Sequence, residues 1–328
     1  MSSKCLVCLT GVLGLLAEGI CSAEVVRVDG SSTVYPISEA VAEEFQNKQK
    51  NIQVTVGISG TGGGFKKFCR GELDVSDASR PILKKEMEEC QKNGVRYYEL
   101  PIAFDALTVV VHKKNPVKQI TLAELKTFWE PDAQGKVTRW KQANPSFPDL
   151  PLKLFGPGSD SGTFDYFTEA VNGKAKSSRG DFTASEDDNV LVQGVQRDPG
   201  SLGYFGYAYY AENQGKLKAL AIVDPKTGKS VLPSAQAVID GTYQPLSRPI
   251  FIYVSESSYK KPEVKEFTHY YLENAAHLAK EVKYVPLPER AYKVSATHLQ
   301  EGRVGTVFKG EAEVGVKIED LLSREAKL

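Results

Sequence analysis

Between residues 25 and 92 the chain repeats one pattern three times, and this pattern constrains the fold more than any other feature. Each repeat starts with an apolar run typical of a β-strand, continues into a loop of small polar residues, and ends with apolar side chains at helical spacing. This alternation predicts an α/β fold with a parallel sheet flanked by helices. The predicted strands are residues 25–28, 52–58 and 73–75, and the predicted helices follow Pro36, begin at Phe65 and span residues 84–92.

A long apolar stretch at residues 97–112 predicts a strand that passes from one lobe into another. Asp105 lies between its two apolar halves, and an apolar run at residues 250–254 predicts a strand that crosses back. A chain of 328 residues is long enough for about two domains, each with its own core. The expected units are lobe I, residues 24–104 and 248–328, and lobe II, residues 105–247, joined by two hinge strands.

The net charge of the chain limits which classes of binding partner we expect. Lys and Arg total 41, Asp and Glu also total 41, and the net charge at pH 7 is zero. Proteins that bind nucleic acids commonly present a basic face that displaces counterions, so we expect no nucleic-acid partner, although a local basic patch stays open. Hydrophobic residues make up 41% of the chain, which excludes bulk disorder.

Residues 1–23 have the features of a cleaved secretory leader. Lys4 precedes an apolar run at residues 6–17, and Cys21-Ser22-Ala23 places small residues where a signal peptidase reads them. A membrane anchor is disfavoured because the run is shorter than the ~20 residues of a spanning helix and Glu18 follows it. We therefore expect cleavage after Ala23 and export of the mature chain.

Cleavage there would leave two cysteines, Cys69 and Cys90. In an exported protein an isolated pair predicts a disulfide, and two free thiols are the alternative. Closing a loop of about 20 residues would stabilise the fold by roughly 3 kcal/mol, because it restricts the unfolded chain. The four histidines show no ligand spacing, so we expect neither a metal site nor a cofactor.

The small-residue loops after the predicted strands form the candidate functional site. Such loops lie beside helix N-termini, whose exposed N–H groups and positive dipole end bind anions. Arg80 is the only obvious fixed cation among them, and its planar guanidinium suits bidentate contact with an oxyanion. The candidate segments are Ser31-Ser32-Thr33, Thr61-Gly62-Gly63, Ser79-Arg80 and Ser161-Gly162-Thr163.

Each loop taken alone also has a purely structural interpretation. A Ser or Thr before a helix is usually an N-cap, a glycine run can be a flexible turn, and Arg80 could be a solvated side chain. The glycine loop lacks the Gly-Lys-Ser/Thr of a P-loop and the third glycine of a dinucleotide fingerprint. Ser159-Asp160-Ser161-Gly162 is similar to the nucleophile segment of trypsin-like proteases, but the all-β pattern of those enzymes is absent.

Five segments, in this order, resemble the phosphate-binding proteins of high-affinity phosphate ABC transporters. The resemblance covers nearly all of the chain after the leader, and it implies the type II periplasmic-binding-protein fold, in which two α/β lobes joined by two crossing strands hold the anion in a cleft. The segments are Asp29-Gly30-Ser31-Ser32-Thr33-Val34-Tyr35-Pro36, Gly60-Thr61-Gly62-Gly63-Gly64-Phe65, Asp77-Ala78-Ser79-Arg80-Pro81, Ser159-Asp160-Ser161-Gly162-Thr163 and Gly200-Ser201-Leu202-Gly203-Tyr204. The expected phosphate-binding residues are Ser32, Thr33, Val34, Thr61, Ser79, Arg80, Ser161, Gly162 and Thr163, with Gly62 and Asp160 as further candidates.

The chain departs from the best-known members at two positions. Ser79 stands where they have an Asp that accepts a proton from phosphate and so rejects sulfate, and Pro157 stands where they have an Arg. Arg80 is the expected replacement for the cation, and Asp160 is the nearest candidate for the acceptor. A site without an acceptor should discriminate poorly between phosphate and sulfate.

The resemblance implies a non-catalytic receptor that binds inorganic phosphate and delivers it to a membrane-embedded ABC permease. We expect a monomer. Three alternatives stay open at this point: a receptor for another tetrahedral oxyanion such as sulfate or molybdate, a secreted phosphatase or serine hydrolase that uses Ser161, and an adhesion or sensing module that keeps the fold.

Overall fold

The computed structural model describes residues 24–224, 227–311 and 313–328, which hold thirteen strands and eleven α-helices; the leader predicted for residues 1–23 lies outside these ranges. The strands are β1 Glu24–Gly30, β2 Ile52–Ile58, β3 Val75–Ala78, β4 Tyr97–His112, β5 Gln119–Thr121, β6 Lys153–Pro157, β7 Thr183–Ser185, β8 Ser201–Gly206, β9 Leu217–Ala219, β10 Ala221–Val223, β11 Ser230–Val231, β12 Ser247–Ser255 and β13 Val285–Pro286. The helices are α1 Tyr35–Lys48, α2 Gly60–Phe68, α3 Lys84–Lys92, α4 Leu122–Trp129, α5 Gly162–Asn172, α6 Asp188–Val195, α7 Tyr207–Glu212, α8 Ala235–Ile239, α9 Pro262–Glu281, α10 Glu289–Glu301 and α11 Ile318–Glu325.

Ten of the strands form one mixed sheet, and the predicted α/β class is confirmed. The strand order is β2-β1-β3-β12-β4-β8-β6-β7, with β13 and β9 also paired to β4. β1 pairs in parallel with β2 and β3, as the repeated pattern predicts. The sheet as a whole is mixed, because β12 pairs antiparallel to both β3 and β4.

β4 is the strand that links the two halves of the sheet. Its residues from Tyr97 to Ala106 pair with β12, whereas those from Leu107 to Val111 pair with β8. Nearly every residue of β4 is buried, which explains why most of its side chains are apolar. The division of the chain into lobes I and II stays a prediction, and this change of partner close to residue 105 supports it.

One helix begins earlier than the sequence predicts. The chain enters α2 at Gly60 rather than Phe65. Glycine is a poor helix former, but Gly60 has φ +75°, and a Cβ there would lie 2.6 Å from the carbonyl oxygen of Asp160. Close approach of two loops therefore outweighs helix propensity at the start of α2.

The predicted disulfide between Cys69 and Cys90 is confirmed. It joins the residue that follows α2 to a buried position in α3, and so fixes α3 beside the loop that follows β3. Within the described residues, the helices are too short or too polar to cross a membrane.

Candidate functional site

Three loops of lobe I lie at one edge of the sheet because the carboxyl ends of β1, β2 and β3 meet there. Thr33 precedes α1, Thr61 lies in the first turn of α2, and Ser79 directly follows β3. Each of these three side chains is fully buried. The Thr61 hydroxyl lies 3.2 Å from Ser79 Oγ and accepts the backbone N–H of Ser79 at 3.1 Å. The loops are thus tied to one another by the predicted site residues.

Lobe II contributes the N-terminus of α5. Ser161 is its N-cap, and Ser161 Oγ accepts the backbone N–H of Thr163 at 3.1 Å. The structural interpretation of Ser161 as a cap is therefore correct, but the cap leaves the Ser161 hydroxyl proton free to donate to a ligand. The first backbone N–H groups of an eleven-residue helix stand beside it.

The two sets of loops meet face to face. Thr33 Oγ1 lies 2.9 Å from Thr163 Oγ1, and the backbone N–H of Gly62 donates to the carbonyl oxygen of Asp160 at 2.7 Å. A Cβ on Gly162 would lie 2.5 Å from Thr61 Oγ1, so a glycine is required where α5 approaches lobe I. The structure therefore brings together one cluster of site residues: Ser32, Thr33, Val34, Thr61, Gly62, Ser79, Ser161, Gly162 and Thr163, all buried.

Arg80 lies in the same region, but its guanidinium faces two carboxylates. Nε donates to Asp165 at 2.8 Å, and Nη1 and Nη2 each donate to Glu86 at 2.8 Å. Nη1 also donates to the carbonyl oxygen of Pro81 at 3.0 Å. Four of the five N–H groups of Arg80 are thus engaged. Because one N–H group remains, Arg80 cannot make the bidentate contact with an anion that we expected. A single contact between Arg80 and an anion stays a prediction.

A second arginine, Arg248, reaches the centre of the cluster from β12. Its Nη2 donates to Thr163 Oγ1 at 2.7 Å and to Thr33 Oγ1 at 3.3 Å, so it touches both lobes. Its counter-charge is Asp105 on β4, whose Oδ2 lies 3.1 Å from Nη2. Both side chains are buried. Both threonine oxygens accept from Arg248 and one hydroxyl donates to the other, so one hydroxyl proton of the pair is available to an anion.

The sequence interpretation missed Arg248, although one signal was present. Asp105 interrupts the apolar run of β4, and a buried carboxylate needs a cation or hydrogen-bond donors. That requirement predicts a basic partner in a neighbouring strand. Arg248 is the basic residue at the start of the crossing strand, 143 positions away.

Asp160, the expected proton acceptor, lies at the rim of the cluster. Its carboxylate pairs with Lys66 at 2.8 Å and its side chain is 37% exposed. The backbone of Asp160 contacts the cluster through Gly62, whereas the carboxylate points to an exposed ammonium. The structure therefore offers no support for Asp160 as the group that accepts a ligand proton.

A different carboxyl group, Asp188, is buried against the cluster. Its Oδ1 accepts from Ser32 Oγ at 3.3 Å, and its Oδ2 has no hydrogen-bond partner. Burial raises the pKa of Asp188 to about 7, and the nearby Asp105 carboxylate adds to the shift. This acid therefore titrates near neutral pH.

The arrangement suits anion binding, and in the part of the chain that the structure describes no histidine contact reaches Ser161. A serine nucleophile needs a base within hydrogen-bond reach. The contacts found for the four histidines lie elsewhere: His112 with Lys114, His269 with Tyr259, His277 with Glu281 and His298 with Glu325. Within the described residues, there is also no group of three or more His, Cys, Asp or Glu side chains placed to hold a metal ion. The cluster instead offers hydroxyls, backbone N–H groups and one guanidinium.

Comparison with known proteins gives a consistent result. The family model "PBP superfamily domain" matches residues 19–275. The chain is 58% identical to "Protein SphX" of Synechococcus elongatus over 310 residues, which cover 94% of this chain and 91% of that protein. It is 39% identical to "Phosphate-binding protein PstS" of Staphylococcus saprophyticus over 280 residues, with 84% of each protein covered.

Two solved structures extend the comparison to the fold. A crystal structure described as a possible phosphate binding protein from Planctomyces limnophilus has 49% identity and a TM-score of 0.63, and covers 86% of this chain and 99% of that one. A phosphate ABC transporter substrate-binding protein from Clostridium perfringens, solved with bound phosphate, has 26% identity and a TM-score of 0.69, with 81% and 100% covered.

Proposed function

Since the chain belongs to the PBP superfamily and, within it, to the family of the phosphate-binding protein PstS, we propose that it binds inorganic phosphate between its two lobes and delivers it to an ABC transporter permease. The observation that carries this proposal is the convergence of hydroxyls and backbone N–H groups from both lobes around Arg248. The protein is a binding protein of a transport system, not an enzyme.

We propose a ligand set that differs from the sequence-based one in its cation and omits the further candidates Gly62 and Asp160. Arg248 supplies the cation, because its guanidinium lies between Thr33 and Thr163. Arg80 holds lobe I to lobe II through Asp165, and touches the anion through one N–H at most. The hydroxyl and amide ligands are those of Ser32, Thr33, Val34, Thr61, Ser79, Ser161, Gly162 and Thr163.

The proposed ligands are sufficient for tight binding. Hydrogen bonds to a charged group contribute roughly 1.5–3 kcal/mol each. Three helices, α1, α2 and α5, also begin at the site, and the positive end of each dipole favours an anion. We therefore expect a dissociation constant in the micromolar range or below, which corresponds to about −8 kcal/mol or better.

The proposed function includes export of the protein to the periplasm. The leader predicted at residues 1–23 and the Cys69–Cys90 disulfide both fit a protein that works in the periplasm, where disulfides persist. A monomer that closes around one anion and then docks on the permease is the simplest form of this transport cycle.

Calorimetric titration of the purified protein with phosphate, sulfate and molybdate tests the proposal. We expect one phosphate per chain and weaker or absent binding of the other two anions. Thr163→Val should weaken phosphate binding by about tenfold or more, because one charged hydrogen bond and the contact with Arg248 are lost. Thr55→Val, on the exposed face of β2, is the matched control. Absence of phosphate binding would refute the proposal, and tighter binding of sulfate or molybdate would favour a receptor for that oxyanion.

A further inference from the structure

One buried carboxylate beside the anion cluster is not explained by anion binding. Asp188 is fully buried in the first turn of α6, and one of its oxygens, Oδ2, lacks a hydrogen-bond partner. Its other oxygen accepts from the hydroxyl of Ser32, which belongs to the opposite lobe. A negative group at an anion site opposes binding, so its position requires a reason.

Of the contacts that Asp188 makes, its hydrogen bond to Ser32 is the one that involves a proposed ligand hydroxyl. Asp105 and Arg248 interact with it electrostatically, and the backbone of Gly206 donates a hydrogen bond to it. Tyr209 donates its hydroxyl to the carbonyl oxygen of Ser32, and Tyr284 donates to that of Thr33, so neither tyrosine donates to the carboxylate.

Of the remaining acids near the cluster, Asp165 and Glu186 also each have one buried oxygen without a hydrogen-bond partner, but neither accepts from a hydroxyl of the cluster. Asp105 accepts from Arg248 and from the backbone N–H of Tyr207, and Asp165 lies between Arg80 and Lys176. Asp160 pairs with Lys66. Asp187, the neighbour of Asp188, caps α6 through the N–H of Asn189. Glu186 is half-buried and accepts the backbone N–H of Asp160.

We propose that Asp188 and Ser32 together form the group that distinguishes phosphate from sulfate. Asp188 takes the hydroxyl proton of Ser32, so Ser32 Oγ offers only lone pairs to an anion in the cleft. Asp188 is thus a positioning residue, and Ser32 is the residue that contacts the ligand. This inference rests on the proposed phosphate-binding function.

The chemistry of the two anions makes such an acceptor selective. Hydrogen phosphate carries one P–O–H group, which can donate to Ser32 Oγ. Sulfate carries no proton, so its oxygen would face a lone pair and the ionised Asp188 behind it. Because the pKa of Asp188 lies near 7, acid protonates it, which removes the negative charge behind Ser32 and leaves a neutral carboxyl that accepts the Ser32 hydroxyl less strongly.

Titration of the full protein with phosphate and with sulfate, at about pH 8.5 and about pH 5.5, tests the inference. In the wild type, sulfate affinity should be low at about pH 8.5 and should rise at about pH 5.5 as Asp188 gains a proton; sulfate is the informative anion because it stays a dianion over this range, whereas phosphate itself gains a proton. Asp188→Asn is isosteric and carries no charge at either pH. It should raise sulfate affinity by roughly 10- to 100-fold at about pH 8.5 and abolish the pH dependence of sulfate affinity.

Two further variants complete the test. Asp187→Asn, one residue earlier and still able to cap α6, should keep the wild-type ratio of phosphate to sulfate affinity, and Ser32→Ala should lower the ratio as Asp188→Asn does. An Asp188→Asn variant with the wild-type ratio, or one in which both anions weaken equally, would overturn the inference. The pH profile of the wild type needs no substitution, so a poorly folded variant would not leave the inference untested. If the wild type binds no phosphate at all, the proposed function itself has failed.

Discussion

Two buried arginines near the cleft differ in what their guanidinium groups contact. Arg80 donates to two carboxylates and one backbone carbonyl, whereas Arg248 donates to one carboxylate, to the backbone carbonyl of Gly162 and to two threonine hydroxyls. A guanidinium already matched by Glu86 and Asp165 has little positive potential left for an anion. Arg248 has one carboxylate partner, Asp105, and therefore supplies the attraction that a dianion needs.

Substitution of Arg248 by lysine should weaken phosphate binding. The ammonium keeps the charge opposite Asp105 but cannot contact Thr33 and Thr163 together, so we expect a loss of roughly 10- to 100-fold in affinity. Calorimetric titration measures it. Arg139→Lys, in the exposed pair with Asp149, is the control and should leave the affinity unchanged. Equal affinities of Arg248→Lys and wild type would mean that the cation is another residue.

The identity of most site residues is predictable from sequence, whereas their pairing is not. Thr33, Thr61 and Ser161 were predicted from the order of small-residue loops after strands, and the structure brings them together. Arg248 was missed because the apolar run predicts a strand that begins at Ile250, two residues too late to include it. Asp105 in an apolar strand indicates that a basic partner exists, but a single sequence does not show which distant residue that partner is.

At the scale of elements, the site depends on where each helix begins. The glycine run at residues 60–64 predicts a loop, but these residues form the first turn of α2. The prediction fails because local propensity competes with the close approach of α2 to β1 and to Asp160. A Cβ on Gly64 would lie 2.8 Å from the Cα of Gly30, so small residues are needed there whatever their helix propensity.

The disulfide should stabilise the fold mainly through α2 and α3. Cys69 and Cys90 are 21 positions apart, and closing such a loop restricts the unfolded chain. Replacing both cysteines by serine should lower the free energy of unfolding by about 3 kcal/mol, measured by urea denaturation without reductant. Wild type with added reductant should show the same loss. A loss below about 1 kcal/mol would show that the unfolded chain is already restricted in other ways.

The packing of α11 on α10 should weaken as the pH rises. His298 Nε2 contacts the backbone oxygen of Glu325 at 3.1 Å, and Nδ1 lies 3.6 Å from the Glu325 carboxyl. Burial lowers the pKa of His298 and raises the pKa of Glu325 to about 8, so both groups are neutral when buried. Because the folded pKa of Glu325 lies above its unfolded value of 4.5, its contribution to stability is complete below about pH 4.5 and is lost as the pH rises toward 8.

Glu325→Gln mimics the protonated acid and should remove that loss. We expect the variant to exceed the wild type in free energy of unfolding by 1 kcal/mol or more at about pH 8.5, and to differ little at about pH 4.5. Thermal denaturation across this range measures the difference. Glu281→Gln, beside exposed His277, is the control. A difference that does not depend on pH would contradict the assignment of a neutral pair.

At the scale of the whole molecule, two crossing strands and a set of contacts between the lobes determine how the cleft closes. The long apolar run of β4 predicts a crossing strand, and the pairing of β4 with both β12 and β8 agrees with it. The contacts between lobes were not predictable, because they join polar loops that lie far apart in the sequence. Arg80–Asp165, which is buried, and Lys66–Asp160, which is exposed at the rim, are two such ion pairs.

Removal of the buried ion pair between the lobes should favour the open form. In Asp165→Asn, Arg80 keeps Glu86 but loses its charged partner in lobe II. We expect a larger radius of gyration without phosphate and an affinity about tenfold lower, because closure then costs more. Small-angle scattering during a phosphate titration measures both. Asp149→Asn, in an exposed pair within lobe II, is the control. An unchanged scattering curve and affinity would show that this pair does not contribute to closure.

A crystal structure of the protein with phosphate tests the central claim most directly. We expect one tetrahedral anion between the lobes, with the hydroxyls of Thr33, Ser161 and Thr163 and the guanidinium of Arg248 all within hydrogen-bond distance of its oxygens. Arg80 should remain paired with Glu86 and Asp165. An anion held by a bidentate contact from Arg80, with Arg248 turned only to Asp105, or an anion bound outside the cleft, would contradict the account.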